Sequence, residues 1–528
     1  MARFNRNGSA HILHEFDGGW ATDFGSYYDS GPDNTVKIPF LLEAQNVIYR
    51  LSGGPQKAPG TTKLNSAALA SGAEIMGLKD VWFSGTGGSS TQHRVLHVGT
   101  VVMKDDADGS FANINTGMED AKIPNYCVYG DLLIYTSNGN TDVPQSWDGT
   151  TNQNLAGTPP NFAFSVVHKG RVWASGVAAN PSRVYYSALN NAEDWVGAGS
   201  GEINIDSDDG DRVTGLISHK DSLFIFKGPN KGSIHRIFGS APTGSDPFRR
   251  VPFSEEIGCV WQNSLFRFRD DVGFLWSDGN VYSLTAVDQF GDFESASLTR
   301  PIRSWLDDHL NFSRLQYAWA ATLDTHGAVL FTVATDTQTN NNIMLMMDYR
   351  FQPVRWSRWD AFSGGCVAHI VDPTDSNRHT IMSGGNDGFV RKHYQETRTV
   401  DTTTAINYRV KTPFTDYGVP FNTKILENAG TLIRPKGGFN LTFGWDRDSG
   451  PSQTHPISQS GGAQLGSFVM GTSRLGGTTS KWRFVELDEG GEFRLISFTV
   501  SDAQVGVDVE LERIAATVSL GGVATEDL

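Results

Sequence analysis

The chain has 528 residues, enough for two to four domains, and is 38% hydrophobic, 19% charged and 11% aromatic with 58 glycines. So few charges beside so many glycines and aromatics make a turn-rich β composition, which excludes a coiled coil, a helical solenoid and a charged disordered chain. The formal net charge of -15 argues against a protein that wraps DNA along a basic stripe, though not against DNA passing through an acidic channel.

Residues 1–60 contain Phe16-Asp-Gly-Gly-Trp20 and an alternating strand candidate near Val36 to Leu51. The first residues carry two arginines but no apolar stretch of the kind a signal peptide needs. No apolar run in the chain is long enough for a membrane helix, which takes roughly 18 residues. The chain therefore reads as soluble and unprocessed. The sequons at Asn7, Asn311 and Asn440 carry little weight without a secretory route.

A weak repeat follows. Tyr129-Gly-Asp-Leu-Leu-Ile-Tyr-Thr, His168-Lys-Gly-Arg-Val-Trp-Ala-Ser, His219-Lys-Asp-Ser-Leu-Phe-Ile-Phe and Arg269-Asp-Asp-Val-Gly-Phe-Leu-Trp each place a Gly or Asp turn before an apolar, aromatic strand. Aligned on Asp131, Gly170, Asp221 and Asp271, the spacings are 39, 51 and 50. Further turns stand at Trp147-Asp148-Gly149, Trp276-Ser-Asp-Gly and Gly384 to Gly388. A period of roughly 40–50 residues with several short strands predicts β-propeller blades, because sheets packed radially bury one another and expose only short edges. The segments from about 75 to 395 predict six or seven blades. The segment before them can lend a strand to the last blade and close the ring. A pair of β-sandwiches with chance spacing is the alternative.

One helix is predicted, from Pro301 to Leu310, where Ile302, Trp305, Leu306 and Leu310 fall near 3.6 spacing behind a first-turn proline. It reads as an insertion between blades. After about residue 400 the texture changes. Phe439, Leu441, Phe443 and Trp445 alternate with other residues, as do Val505, Val507, Val509 and Leu511, with Asp508, Glu510 and Glu512 on the opposite, wet face. Gly/Ser-rich turns lie at Ser458 to Gly466 and Gly471 to Ser480, and the tail Ala524 to Leu528 reads as frayed. The expected architecture is all-β: an N-terminal segment 1–60, a β-propeller 61–400 with a short helix near 300–310, and an antiparallel β-sandwich 401–528.

The chemistry-bearing candidates are few. Phosphate-loop, His-Glu-x-x-His, nucleophile-elbow and Asp-box patterns are missing. Asp206-Ser-Asp-Asp-Gly-Asp211 offers oxygen ligands for a hard cation, but its Gly stands at loop position 5 rather than 6 and position 12 lacks Glu, so an ordinary turn is favoured. His93 and His97 flank a strand-like Arg-Val-Leu and lack a third zinc ligand, which favours chance surface histidines. Glu193-Asp194, Glu255-Glu256 and Asp307-Asp308 could in principle act as paired carboxylates, but no context singles them out. Arg355-Trp-Ser-Arg358-Trp359 interleaves charge and aromatics as a base-stacking segment would, but packing of the tryptophans with the arginines in water is favoured. Arg249-Arg250 and Arg300 with Arg303 could line a channel or meet an acidic partner. Cys127, Cys259 and Cys366 are too sparse for a disulfide framework and fit a reducing cytoplasm.

The order of features carries a resemblance. It rests on Phe16-Asp-Gly-Gly-Trp20, then Leu42-Glu-Ala-Gln-Asn-Val-Ile-Tyr-Arg50 with the Gly/Pro-rich Gly53 to Gly60. Arg183-Val-Tyr-Tyr-Ser-Ala-Leu-Asn-Asn-Ala-Glu-Asp-Trp195 and Val213 to Gly228 continue it. Over roughly residues 10–395 the chain resembles the β-propeller proteins of the bacteriophage head–tail junction, the tail nozzle or hub proteins of short-tailed phages. The resemblance implies a virion structural protein, assembled in the host bacterial cytoplasm. It implies a six-subunit ring beneath portal and adaptor proteins that closes the filled head and conducts DNA during ejection without binding it specifically. The residues themselves add the expectation of no membrane partner, no enzyme activity and no cofactor, and they nominate no catalytic or metal-binding residue. The rival readings are a receptor- or glycan-binding tail protein and, less favoured, a polysaccharide-degrading propeller enzyme.

Overall fold

The fold is described from a computed structural model. It covers residues 9–14, 16, 18–22, 27–28, 40–52, 54–84, 90–106, 109–137, 142–290, 297–417, 419–435, 438–448, 450–459, 480–485 and 491–523. The sequon at Asn7, residues 36–39 of the first strand candidate, most of both Gly/Ser-rich turns and the tail 524–528 lie outside the described residues.

Short strands joined by tight turns meander into seven successive antiparallel sheets. Blade 1 is built from Ile75–Ser84, Ser90–Val98, Val101–Asp105 and Phe111–Thr116. Blade 2 takes Pro124–Tyr129, Leu132–Ser137, Gln145–Trp147 and Asn152–Asn154. Blade 3 takes Phe164–His168, Arg171–Ser175, Arg183–Tyr186 and Gly201–Asn204. Blade 4 takes Arg212–His219, Ser222–Gly228, Ser233–Phe238 and Arg249–Ser254. Blade 5 has three strands, Phe266–Phe268, Asp271–Leu275 and Val281–Ser283. Blade 6 takes Trp319–Leu323, Ala328–Val333, Ile343–Asp348 and Arg355–Trp359. Blade 7 takes Cys366–Asp372, Arg378–Gly384 and Val390–Gln395, and its outer strand is Gly60–Lys63 from the N-terminal segment.

The first strand of each blade packs beside the first strand of the next, with the turn Gln262–Ser264 mediating between blades 4 and 5, and the first strand of blade 7 returns to that of blade 1. The sheets thus close into a seven-bladed propeller. Two links fasten the closure. Asp80 Oδ2 in blade 1 accepts from the Val371 amide in blade 7 at 3.0 Å, and Gln92 donates to Val371 O at 2.6 Å. Between blades, tryptophans fill the wedges: Trp147 and Trp173 are fully buried, and Trp173 meets Tyr186 and Phe248 at 5.0 Å each.

The repeat found in the sequence is the hairpin between the first and second strands of successive blades. Its two-residue turns are Gly130-Asp131, Lys169-Gly170, Lys220-Asp221 and Arg269-Asp270, each with its first residue at positive φ. The fourth unit is therefore shifted by one from an alignment on Asp271. The turns also touch across blade boundaries. Lys169 Nζ lies 3.0 Å from Asp221 Oδ1, Lys220 Nζ lies 3.2 Å from Asp270 Oδ2, and Asp131 Oδ1 accepts from the Ser84 amide at 2.6 Å.

The C-terminal strands form two antiparallel sheets. One runs from Lys481–Val485 through Asn422–Pro435 and Val509–Val523 to Pro55–Lys57 and Val47–Tyr49. The other is continuous with blade 6: its outer strand Arg355–Trp359 pairs with Glu43–Gln45, which pairs with Tyr408–Lys411, then Ile496–Asp502 and Phe439–Arg447. Phe439, Leu441, Phe443 and Trp445 alternate inward as their spacing predicts. The acidic row beside Val509 and Leu511 departs from expectation. Glu510 is only 1% exposed. The N-terminal strands cover that face, so Asp508 accepts from Gln56 Nε2 at 2.6 Å and Glu510 from Ser52 Oγ at 3.2 Å.

The helix Arg303–His309 follows a 3-10 turn, Arg300–Ile302, between blades 5 and 6. A second helix, Leu284–Phe290, was not signalled; its seven residues include β-branched Thr285 and Val287 and are too few for a 3.6 period to show. Trp20 crosses Trp305 edge-on at 5.2 Å and donates to Leu42 O at 3.0 Å, which docks the N-terminal segment on the first of these helices. Gly19 is required there: it has φ 69, and a Cβ would stand 2.9 Å from Arg355 Cβ.

Candidate functional site

Among the described residues blade 5 has three strands where the other blades have four, and a cleft opens beside it. After Val281–Ser283 the chain turns into the helix Leu284–Phe290, and the described residues hold no fourth strand of this blade. Among the described residues a bridge from Tyr282 to Ser297 and a hydrogen bond from the Leu298 amide to Val281 O occupy the outer edge. The resulting cleft has a volume of about 1380 Å³, with Phe268, Leu298, Pro301 and Val354 among its apolar walls.

Its charges are largely spoken for. Asp278 accepts from Tyr282 Oη at 2.7 Å and from Asn280 Nδ2 at 2.8 Å. Burial and this carboxylate push the Tyr282 phenol far above its ordinary value. Asp271 Oδ1 caps the amides of Val272 and Thr285 at 2.7 and 3.2 Å. Arg303 is held by Asp307 at 2.9 Å and by the Asp278 carbonyl at 2.9 Å, and Arg269 donates to Phe351 O at 3.2 Å. These carboxylates are engaged in turns and ion pairs rather than standing as a free pair across the cleft. Of the basic residues named from the sequence, Arg300 and Arg303 line this cleft. Arg250 instead pairs with Asp206 at 2.5 Å.

The acidic turn Asp206 to Asp211 is filled by the chain's own cation. Lys227 is fully buried and reaches Asp209 Oδ2 at 2.6 Å and the carbonyls of Ile205 and Asp206 at 2.9 and 2.5 Å. Asp211 accepts from the amides of Asn230, Lys231 and Gly232 at 2.8–2.9 Å, tying down the next hairpin. Among the described residues no group of three His, Cys, Asp or Glu side chains is arranged to hold a metal ion.

His93 and His97 are buried within blade 1 rather than on the surface. His93 Nδ1 sits 2.5 Å from Asp106 Oδ1, its ring against Trp147, and desolvation pulls His97 below the usual imidazole range. His168 contacts Ser218 Oγ at 2.8 Å and His393 contacts Ser383 Oγ at 2.8 Å, which imitates the first half of a nucleophilic dyad. Burial, reinforced by Lys169 and by Arg391 respectively, lowers these imidazoles to about 4 and about 3, so neither is a useful base at neutral pH. The other carboxylate pairs do not converge. Asp194 caps the Gly197 amide at 2.8 Å, Glu255 and Glu256 are exposed, and Asp307 pairs with Arg303.

Arg355 to Trp359 is a blade strand whose tryptophans are fully buried; their indoles donate to Leu298 O and Val47 O at 2.9 and 2.8 Å. No base can stack there. Arg355 does not face water as expected: it is 6% exposed and lies 3.6 Å over the Phe351 ring, because the N-terminal segment covers this strand. An aromatic pair open to solvent lies in the sandwich. Trp482 and Phe484 stack at 5.8 Å and 14°, and Phe484 is 66% exposed. Only its spacing of two on a strand signalled it. Among the described residues no helix is long and apolar enough to cross a membrane.

The sequence matches no protein-family model and no curated protein. Among solved structures, the computationally designed Ika8 protein is 11% identical over 63% of this chain and 99% of its own, with a TM-score of 0.37. YCF48 bound to D1 peptide is 10% identical over 66% and 97%, with a TM-score of 0.37. The Cps50 (Swd1) β-propeller domain of Myceliophteria thermophila is 11% identical over 64% and 99%, with a TM-score of 0.39. These likenesses say nothing of activity; the closed wheel itself is read from the strand pairing described above.

Proposed function

We propose that this chain is a structural protein of a tailed-phage virion, a tail nozzle or hub subunit that forms a six-membered ring at the head–tail connector and conducts DNA during ejection. The sequence resemblance supplies the identity. The observation that supports a mechanical role is the pairing that links blade 6 to the sandwich: Arg358 in the outer strand of blade 6 bridges to Gln45, and Glu43–Gln45 pairs with Tyr408–Lys411. A hinge between the two parts would yield under load, whereas a shared sheet transmits it. The acidic balance of -15 suits a conduit, since each lysine or arginine on a lumen wall would add a salt-dependent grip on phosphate. Ring closure by a heterologous contact requires two different surfaces on each subunit.

The test is the purified chain by light scattering and electron microscopy, with particles reconstructed from phage lacking the gene. A ring of six 57.6 kDa subunits and loss of stable filled heads are expected. A monomer, or a ring whose inner wall is strongly basic, would overturn the reading. The exposed Trp482–Phe484 stack favours one second reading, a glycan- or receptor-binding tail protein, because flat aromatic faces stack on sugar rings. Glycan binding by a monomer that loses it in Trp482→Ala would support that alternative. Release of sugars would instead support the polysaccharide-degrading enzyme.

A further inference from the structure

The N-terminal strand Pro55–Lys57 and the sandwich strand Ile496–Asp502 approach each other through two side chains. Lys57 Nζ lies 2.5 Å from Asp502 Oδ2, and neither side chain exposes any surface. The ammonium has one further acceptor, Gln504 O at 2.8 Å. On the other side of the carboxylate the Gln504 amide donates to Asp502 Oδ1 at 3.2 Å. Arg398 is 8% exposed and donates to Lys57 O at 2.8 Å, which brings a second cation to the amine. An ion pair without water around it is a poor resting state, since each charge has lost its hydration.

We propose that Lys57 and Asp502 join covalently, Nζ to Cγ, as an intramolecular isopeptide bond formed with loss of one water. Burial, followed in opposition by Asp502 itself, leaves the Lys57 amine below the usual lysine range and so closer to its nucleophilic neutral form. A proton passes from Nζ to Oδ2 along this hydrogen bond. The neutral amine then attacks Cγ, and the Gln504 amide steadies the charge that develops on Oδ1. Oδ2 leaves as water, carrying the first proton and a second one from Nζ; one hydrogen stays on the amide nitrogen. Nothing is oxidised or reduced. Exclusion of bulk water slows the reverse hydrolysis. The product encloses residues 57 to 502, and with them all seven first strands of the propeller, in one covalent loop.

The experiment is the intact mass of the full chain, read after denaturation, with a peptide map. The expected result is a mass lower than the sequence by one water, and a branched peptide joining Lys57 to Asp502. Asp502→Asn should reach the same final mass by expelling ammonia. Lys57→Arg and Asp502→Ala should keep their full masses. A wild-type chain at full sequence mass with no branched peptide overturns the proposal. Because the mass is read on denatured wild-type protein, the result does not depend on whether any variant folds.

Discussion

Lys227 Nζ sits 2.6 Å from both carboxylate oxygens of Asp209, inside the turn whose acidic residues look from the sequence like a cation loop. A sequence scan for oxygen ligands sees the aspartates but not the lysine, which comes from a strand 18 residues further on. Folding delivers an ammonium to the place where a metal would otherwise be sought.

Removing that ammonium should therefore cost stability. Lys227→Ala leaves the part-buried Asp209 without its partner, and such one-sided removal costs on the order of 3–5 kcal/mol. Denaturant melts should show the unfolding free energy falling by that amount. Millimolar calcium should leave the wild-type melt unmoved, since the ligands are already engaged. A calcium-dependent rise in the wild-type midpoint would contradict the assignment.

Two buried imidazoles predict acid lability. His168 and His393 titrate near 4 and near 3 in the folded chain because burial disfavours their charged forms. In the unfolded chain they titrate near ~6.5. Below that pH the unfolded state binds more protons than the native one, so stability is full above ~6.5 and falls as pH drops toward the folded values. Each histidine contributes a slope of up to ~1.4 kcal/mol per pH unit in this window. Denaturation free energies between neutral pH and the acid range should show the slope. His393→Gln, which can still reach Ser383, should flatten it by about half of this pair's share.

The blades were legible because a tight turn followed by an aromatic strand is a local signal. Gly130, Lys169, Lys220 and Arg269 each supply the positive-φ turn residue that starts a hairpin. The outer edge of the fifth blade was not legible, since among the described residues it is met by a single bridge between Tyr282 and Ser297. The wet face assigned to Asp508, Glu510 and Glu512 failed for a different reason. Period two tells which residues share a face, not whether another part of the chain covers it, and here residues 47–57 return from the far end of the sequence. The same segment explains why Arg355 is buried. Fold class is thus written in local pattern, while the surroundings of a charge are set by contacts hundreds of residues apart.

The three cysteines should behave as core residues. All are buried and free, and burial raises Cys127 to about 11, Cys259 to about 12 and Cys366 higher still. The thiolate is the reactive species, so the native chain should resist a thiol reagent at neutral pH. Titration should find essentially no fast-reacting thiol in the native chain and three after unfolding. Prompt labelling of the native chain would show that one blade opens readily.

Asn46 holds the propeller to the sandwich, and it offers the sharpest test of their coupling. Its amide donates to Arg358 O of blade 6 at 2.7 Å, and its carbonyl accepts from Ala58 at 2.8 Å. Its side chain donates to Asp360 Oδ1 and to Asn407 O at 2.7 Å each. It achieves this with φ at 52, a left-handed conformation that asparagine tolerates better than most residues. Asn46→Gly keeps the backbone but loses the side-chain bonds to Asp360 and Asn407, both exposed, at a net cost of about 0.5–1.5 kcal/mol per bond. Asn46→Ala adds backbone strain of roughly 1–2 kcal/mol. Calorimetry should rank the three proteins wild type, Gly, Ala. Wild type should unfold in a single transition, because one sheet crosses the junction, and the alanine variant should be the one in which a separate sandwich transition emerges. Two well-separated transitions in the wild type would mean that the shared sheet does not bind the halves into one cooperative unit.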